Sequence, residues 1–233
     1  MTVTSTDLPS ILPIFPLTGV LLLPGGKLPL YIFEPRYCSM VGDALADHRC
    51  IGIVQPFEPD PADGRGEGKG AGDGVEEQPG DSPEVYPVGC VGRIEHFEQL
   101  PHGRFVLLLE GVGRFRARRE LELLRGYRRV EADYEEFGVD AEDRRADLEA
   151  EPLLEALRSF GLNHRVTIEL DQLEDISGLD LLNSVAMALP FAPAEKQALL
   201  EAADLKHRQE LLLMLLDMGL ELQSDGDGGP APN

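Results

Sequence analysis

Near residue 138 the period of the hydrophobic pattern changes, and that change limits what the chain can become. Before it, "VGCVGRIEHFEQL" and "GRFVLLLEGVGRFRARREL" flank a "PHG" turn, and "YRRVEADYEEF" follows. In the last of these Val130, Ala132 and Tyr134 alternate with charged neighbours, the mark of a strand with one buried and one wet face. Closely spaced antiparallel strands with glycine-rich corners predict a small, partly closed barrel. After residue 138 the spacing turns helical. Leu148, Pro152, Leu153, Leu157 and Phe160 fall mostly on one side of a helix that Gly161 should end. A second helix is predicted over Leu179–Leu189, stopped before Pro190, and a third and fourth on either side of a break near Ala203-Asp204. Strands first and helices afterwards predict an α+β chain in which a β-barrel is followed by a helical bundle.

The region Ile11–Gln55 adds strands to the barrel and one helix within it. "ILPIFPL", "GVLLLPG" and "LPLYIFE" read as strands, with Gly25-Gly26 as a turn, and "CIGIVQPF" returns to strand. Pro13 and Pro16 cannot donate ladder hydrogen bonds, so the first strand is expected at an edge or interrupted. Between the later strands Tyr37, Met40, Val41, Ala44 and Leu45 recur at helical spacing. Glu58–Glu84 is loaded with Gly, Pro and acids and nearly free of large apolar groups, which predicts a flexible surface loop. "GEGKGAG" within it lacks the spacing of a phosphate-binding loop and the flanking strand and helix. The expected organisation is a flexible N-terminus (1–10), a barrel (11–137, with loop 58–84), a bundle (138–222) and a frayed tail (223–233).

Composition narrows the function classes. The 42 acids against 21 bases give a net charge of −21, which repels nucleic acid and anionic lipid. No apolar run approaches a membrane span and no signal peptide is visible, so a cytoplasmic protein is expected. Cys38, Cys50 and Cys90 form no C-x-x-C pair and read as core-filling thiols. His48, His96, His102, His164 and His207 show no metal-ligand spacing, and protease, hydrolase, Walker and Rossmann patterns are missing. Ser184 in "LLNSVAMAL" reads as a helix hydroxyl rather than a nucleophile. The chain is therefore read as having no catalytic, cofactor or metal residues.

Two charged clusters stand out. In "GVGRFRARRE", Arg114, Arg116 and Arg118 alternate with Phe115 and Ala117, which on a strand puts three guanidinium groups on one face. They are the candidate binding residues, for an anion, a peptide carboxylate or RNA. A solvated face paired with the acidic excess is the plainer account. In "PLYIFEPRYCSMVGDAL" a strand ends at Phe33, Glu34 meets the positive end of a helix dipole, and Pro35 takes a first-turn position. Glu34 and Arg36 are expected to fix the angle between strand and helix.

"LPIFPLTGVLLLPGGKLPLYIFEPRYCSMVGDAL" resembles the start of the substrate-binding N-terminal domain of Lon proteases. The likeness continues through "CIGIV", "GCVGRI" and "GRFVLLLEGVGRFRARRE" and spans roughly residues 10 to 220. Its motif residues here are Phe15, Pro16, Leu17, Pro24, Phe33, Glu34, Pro35, Arg36 and Tyr37, read as mainly structural. The resemblance implies a PUA-like barrel followed by a helical bundle. It also implies a non-catalytic module that recognises polypeptide segments, or a protease or chaperone partner. The ATPase and Ser-Lys peptidase of Lon are absent from these residues, so a stand-alone form is expected. RNA binding on the PUA-like barrel is the alternative, which the charge disfavours.

Overall fold

The computed structural model describes residues 8–57, 83–143, 148–164 and 176–219. Most of the acidic 58–84 stretch, the chain's first seven residues and its tail lie outside them. The elements in order are β1 (Ile11–Pro16), β2 (Lys27–Ile32), α1 (Pro35–Ala46), β3 (Cys50–Val54), β4 (Val88–Gln99), β5 (Phe105–Leu124) and β6 (Tyr127–Asp133). There follow α2 (Asp140–Asp143), α3 (Glu151–His164), α4 (Gly178–Ala188), α5 (Pro193–Glu201) and α6 (Leu205–Met218). The fold is α+β, with one mixed sheet and helices.

The strand order is β2-β5-β4-β3-β1-β6, and β6 also pairs with β5. The 20-residue β5 makes this possible by serving β2 and β4 along its first half and β6 along its second. Register shifts at Val91/Gly92, Ile94/His96 and Ala117/Arg119 bend the ladders. Among the described residues only the β1–β3 pairing is parallel.

The first strand departs from expectation. β1 is not at an edge but lies between β3 and β6. Its partners overlap only at Ile14: Pro13 is in register with β6 alone and Pro16 with β3 alone. Each missing N–H therefore weakens at most one ladder. "GVLLLPG" is not a strand either. Leu21, Leu22 and Leu23 are all buried, so no face of this segment is wet, and side chains bond its backbone at Gly19 and Pro24. Gly19 N–H donates to Gln55 Oε1 (3.1 Å), Lys196 Nζ to Gly19 O (2.8 Å) and Asn183 Nδ2 to Pro24 O (3.1 Å).

Alternation sorts the sheet's side chains into two cores. Leu12, Ile14, Cys50, Val54, Val91, Phe115 and Val130 fill one face. Phe15, Ile51, Ile53, Ile94, Leu107 and Leu109 pack on the other, with α1 and the later helices. Gly52 and Gly89 leave room for the Phe115 ring: a Cβ at either would stand 2.8 or 2.7 Å from it. α1 buries Tyr37, Met40, Val41 and Ala44, as its spacing predicts. α3 runs through Gly161 instead of ending there, and Leu148 precedes it. Packing of Leu153, Leu157 and Phe160 outweighs the roughly 1 kcal/mol cost of an interior glycine. The second to fourth predicted helices appear as α4, α5 and α6, with the break at Ala202–Asp204. Among the described residues no helix is long and apolar enough to cross a membrane.

Arg114 ties the sheet to the helices. Its side chain is 2% exposed and pairs with Asp140 at 2.7 Å. Its backbone N–H donates to the same carboxylate (2.7 Å), and Nη1 donates to the carbonyls of Leu200 and Ala202 at the end of α5. Arg114→Met leaves Asp140 buried without its partner and should lower the unfolding free energy by about 3–5 kcal/mol in urea titration. Arg114→Met/Asp140→Leu should be less destabilised than the single variant.

Candidate functional site

The strand-to-helix joint builds the most distinctive surface of the molecule. β2 exposes Pro29 and Tyr31 and turns Ile32 inward, so the pleat carries Tyr31 to the outside. Phe33 follows, 61% exposed, and stacks on the half-exposed Tyr31 with ring centroids 5.9 Å apart. Glu34 is the N-cap of α1 and Pro35 its first residue, where a missing N–H costs nothing. Glu34 O accepts the Cys38 N–H at 2.9 Å, opening the helix ladder. Arg36 Nε donates to Glu34 Oε2 at 3.1 Å, and its guanidinium lies 4.7 Å from the Tyr37 ring centroid. Both partners of that pair are about a third or more exposed, so the bond orients the groups and adds little stability.

These residues open onto a cleft of about 330 Å³. Of the motif residues, Phe15, Pro16, Leu17, Phe33, Glu34, Arg36 and Tyr37 line it, joined by Leu30, Tyr31 and Tyr127. Phe15 and Tyr37 form its floor with centroids 4.2 Å apart. Pro24 and Pro35 are not among its lining residues; Pro24 holds Asn183 and Pro35 starts α1. Arg104 Nη1 donates to the hydroxyl of the lining Tyr31 at 2.8 Å. Tyr127 donates to Asp43 Oδ2 at 2.8 Å, and Arg125 pairs with Asp43 at the same distance, anchoring α1 to the β5–β6 turn.

The arginines of β5 do not form one wet face. Arg114 is buried as described, because β5 at that point is covered on both sides, with Phe115 also 0% exposed. Arg116 pairs with Glu136 and Arg118 with Asp133, both at the surface. The geometry thus brings seven motif residues to one cleft and separates Arg114 from Arg116 and Arg118. Sequence reasoning passed over Tyr31 and Asp140. The alternation in "KLPLYI" was a signal for Tyr31, whereas Asp140 sits in an acidic stretch with no periodic mark.

Reactive groups are muted. Burial pushes the Cys90 thiol up to about 12 and raises Cys50 and Cys38 above the ordinary cysteine value. Among the described residues no group of three His, Cys, Asp or Glu could hold a metal ion.

The sequence model of the ATP-dependent protease La (LON) substrate-binding domain family matches residues 11–218. The chain belongs to the Lon substrate-binding domain family. It is 31% identical over 231 residues to Lon protease 2 of Myxococcus xanthus, covering 93% of this chain and 24% of that protein. It is 29% identical over 229 residues to the Lon protease of Anaeromyxobacter dehalogenans, again over 93% and 24%. The chain thus spans about a quarter of the length of these curated relatives. A Lon N-terminal domain protein from Xanthomonas campestris superposes with a TM-score of 0.56 at 26% identity, over 88% of this chain and 98% of that one. The N-terminal domain of a Mycobacterium avium complex Lon protease shares the fold, with a TM-score of 0.56 at 16% identity over 90% and 100%. The matched region is the substrate-binding domain of Lon.

Burial, and then the bond to Asp43, push the Tyr127 hydroxyl up to about 12. A raised pKa means that the folded state favours the neutral phenol. That stabilisation is full below the ordinary tyrosine value near 10 and is lost as pH rises toward 12. The urea midpoint should fall across this window, and Tyr127→Phe should flatten part of the fall. Burial also raises Tyr134, so some slope should remain.

Proposed function

We propose that this Lon-family domain is a non-catalytic module that binds polypeptide segments at the cleft beside β2 and α1. The supporting observation is the stacked Tyr31–Phe33 pair, held out to solvent at the mouth of a cleft lined by motif residues. Exposed aromatic rings lose little side-chain entropy on binding and bury much area. The buried floor of Phe15 and Tyr37 and the lining Arg36 add an apolar seat with a polar edge, the usual composition of a recognition cleft. The bound segment is an unfolded stretch of a client, or part of a protease or chaperone partner.

The strand order that returns to β5 fits a PUA-like barrel, and the helices after residue 138 a bundle packed against it, in a cytoplasmic protein. In this reading Glu34, Pro35 and Arg36 set the angle at which β2 delivers its aromatics to α1. The RNA alternative gains no support, because Arg114 is buried and Arg116 and Arg118 are already paired with carboxylates. The ATPase and peptidase activities of full-length Lon are not carried over to these residues.

Fluorescence anisotropy of the full chain with a labelled, unstructured peptide rich in Phe and Leu tests the reading. Tyr31→Ser/Phe33→Ser should weaken binding about tenfold or more while changing unfolding free energy by under ~0.5 kcal/mol. Undiminished binding by that variant would reject the aromatic cleft as the site.

A further inference from the structure

A second cleft, of about 600 Å³, lies where the start of β2 faces α4. Asp180, Asn183, Ser184 and Met187 line it at spacings of three and four, so one face of α4 looks across at Leu28 and Pro29. Asn183 is 2% exposed, and its Nδ2 donates to Pro24 O. A carbonyl only accepts, so that bond fixes which way the amide turns. Asn183 Oδ1 is then left without a partner among the described residues. A buried acceptor in that state is costly, and a ligand that brings a donor relieves the cost.

The electrostatics agree. Lys27 is the cation on the lining, and its ammonium is bound to both oxygens of Glu95 at 3.0 and 2.7 Å. Glu95 first, then Glu110 and Asp180, hold the Lys27 pKa above the ordinary lysine value. Glu95 thus neutralises Lys27 from outside the lining, which leaves Asp180 as the charged group of the cleft open to a cation. Its walls, Leu28, Pro29 and Met187, suit an aliphatic stem beneath a charged head, and methionine adapts to irregular shapes.

We propose that this cleft is a subsite for a cationic side chain, lysine or arginine, of a bound polypeptide. The stem lies on Leu28 and Met187, and the ammonium or guanidinium reaches Asp180 and Asn183 Oδ1. The subsite rests on the polypeptide-binding reading above. Pro29 lines this cleft, and its strand neighbours Leu30 and Tyr31 line the aromatic one. At about 3.3 Å per residue, one extended client following β2 serves both clefts.

The test uses the full chain and two labelled, amino-acetylated, unstructured peptides rich in Phe, identical except for one lysine or acetyl-lysine. The lysine peptide should bind about threefold more tightly, the scale of a partly exposed ion pair. Ser184→Lys, at an exposed helical position, should abolish that difference. Ala46→Lys makes the same change in net charge on α1 and should preserve it. Equal binding of the two peptides by the unaltered chain overturns the subsite while leaving the aromatic cleft standing. A difference that survives Ser184→Lys also overturns it. Failure of both peptides to bind removes the polypeptide-binding reading and the subsite together.

Discussion

The buried guanidinium of Arg114 is the joint on which the arrangement of sheet and helices depends. It rises from the middle of β5, takes Asp140 as its counter-ion and reaches the carbonyls that end α5. A helix end carries unsatisfied carbonyls and a partial negative charge, so a cation there meets both demands. Asp204 completes the break by accepting the His207 N–H at the start of α6. Arg208, also buried, donates to Leu199 O nearby, and Asp140 and Asp143 of α2 balance both arginines. A pair this deep contributes little net stability against an apolar substitute, but breaking it is expensive. It specifies where α5 and α6 sit on the sheet. Lys196 plays the same part on a smaller scale, with burial lowering its pKa while it donates to Gly19 O and to Met187 O at the end of α4.

This explains how far the sequence could be read. The helices α1, α4, α5 and α6 were legible because each buries a stripe at helical spacing, and β4 to β6 because a hairpin turn and alternation mark them. The reading failed where burial is two-sided. "GVLLLPG" has the composition of a strand, yet Leu21, Leu22 and Leu23 are all enclosed and the backbone at Gly19 and Pro24 is bonded by side chains from distant positions. Arg114 failed for the same reason: alternation predicts a wet face only when one face of a strand meets water. The position of β1 depended on which strands closed around it, a long-range matter that no local pattern carries.

The candidate site was half legible. The motif from Phe33 to Tyr37 announced itself, and its placement at a strand–helix joint follows from Glu34 as N-cap and Pro35 in the first turn. That Phe15, Pro16 and Leu17 meet the same cleft depends on Phe15 of β1 packing on Tyr37 of α1, which sequence spacing does not reveal. Tyr31 and Phe33 gain their meaning only from exposure, since aromatic residues in a strand ordinarily read as core.

Hydrogen–deuterium exchange of the full chain, with and without an unfolded, thiol-blocked polypeptide, shows which segment a client covers. Slowed exchange is expected over Lys27–Tyr37, with little change in the exposed hairpin around Pro101–Gly103. Slowing confined to β5 and β6 around Arg116 and Arg118, with Lys27–Tyr37 unaltered, would contradict binding at the cleft.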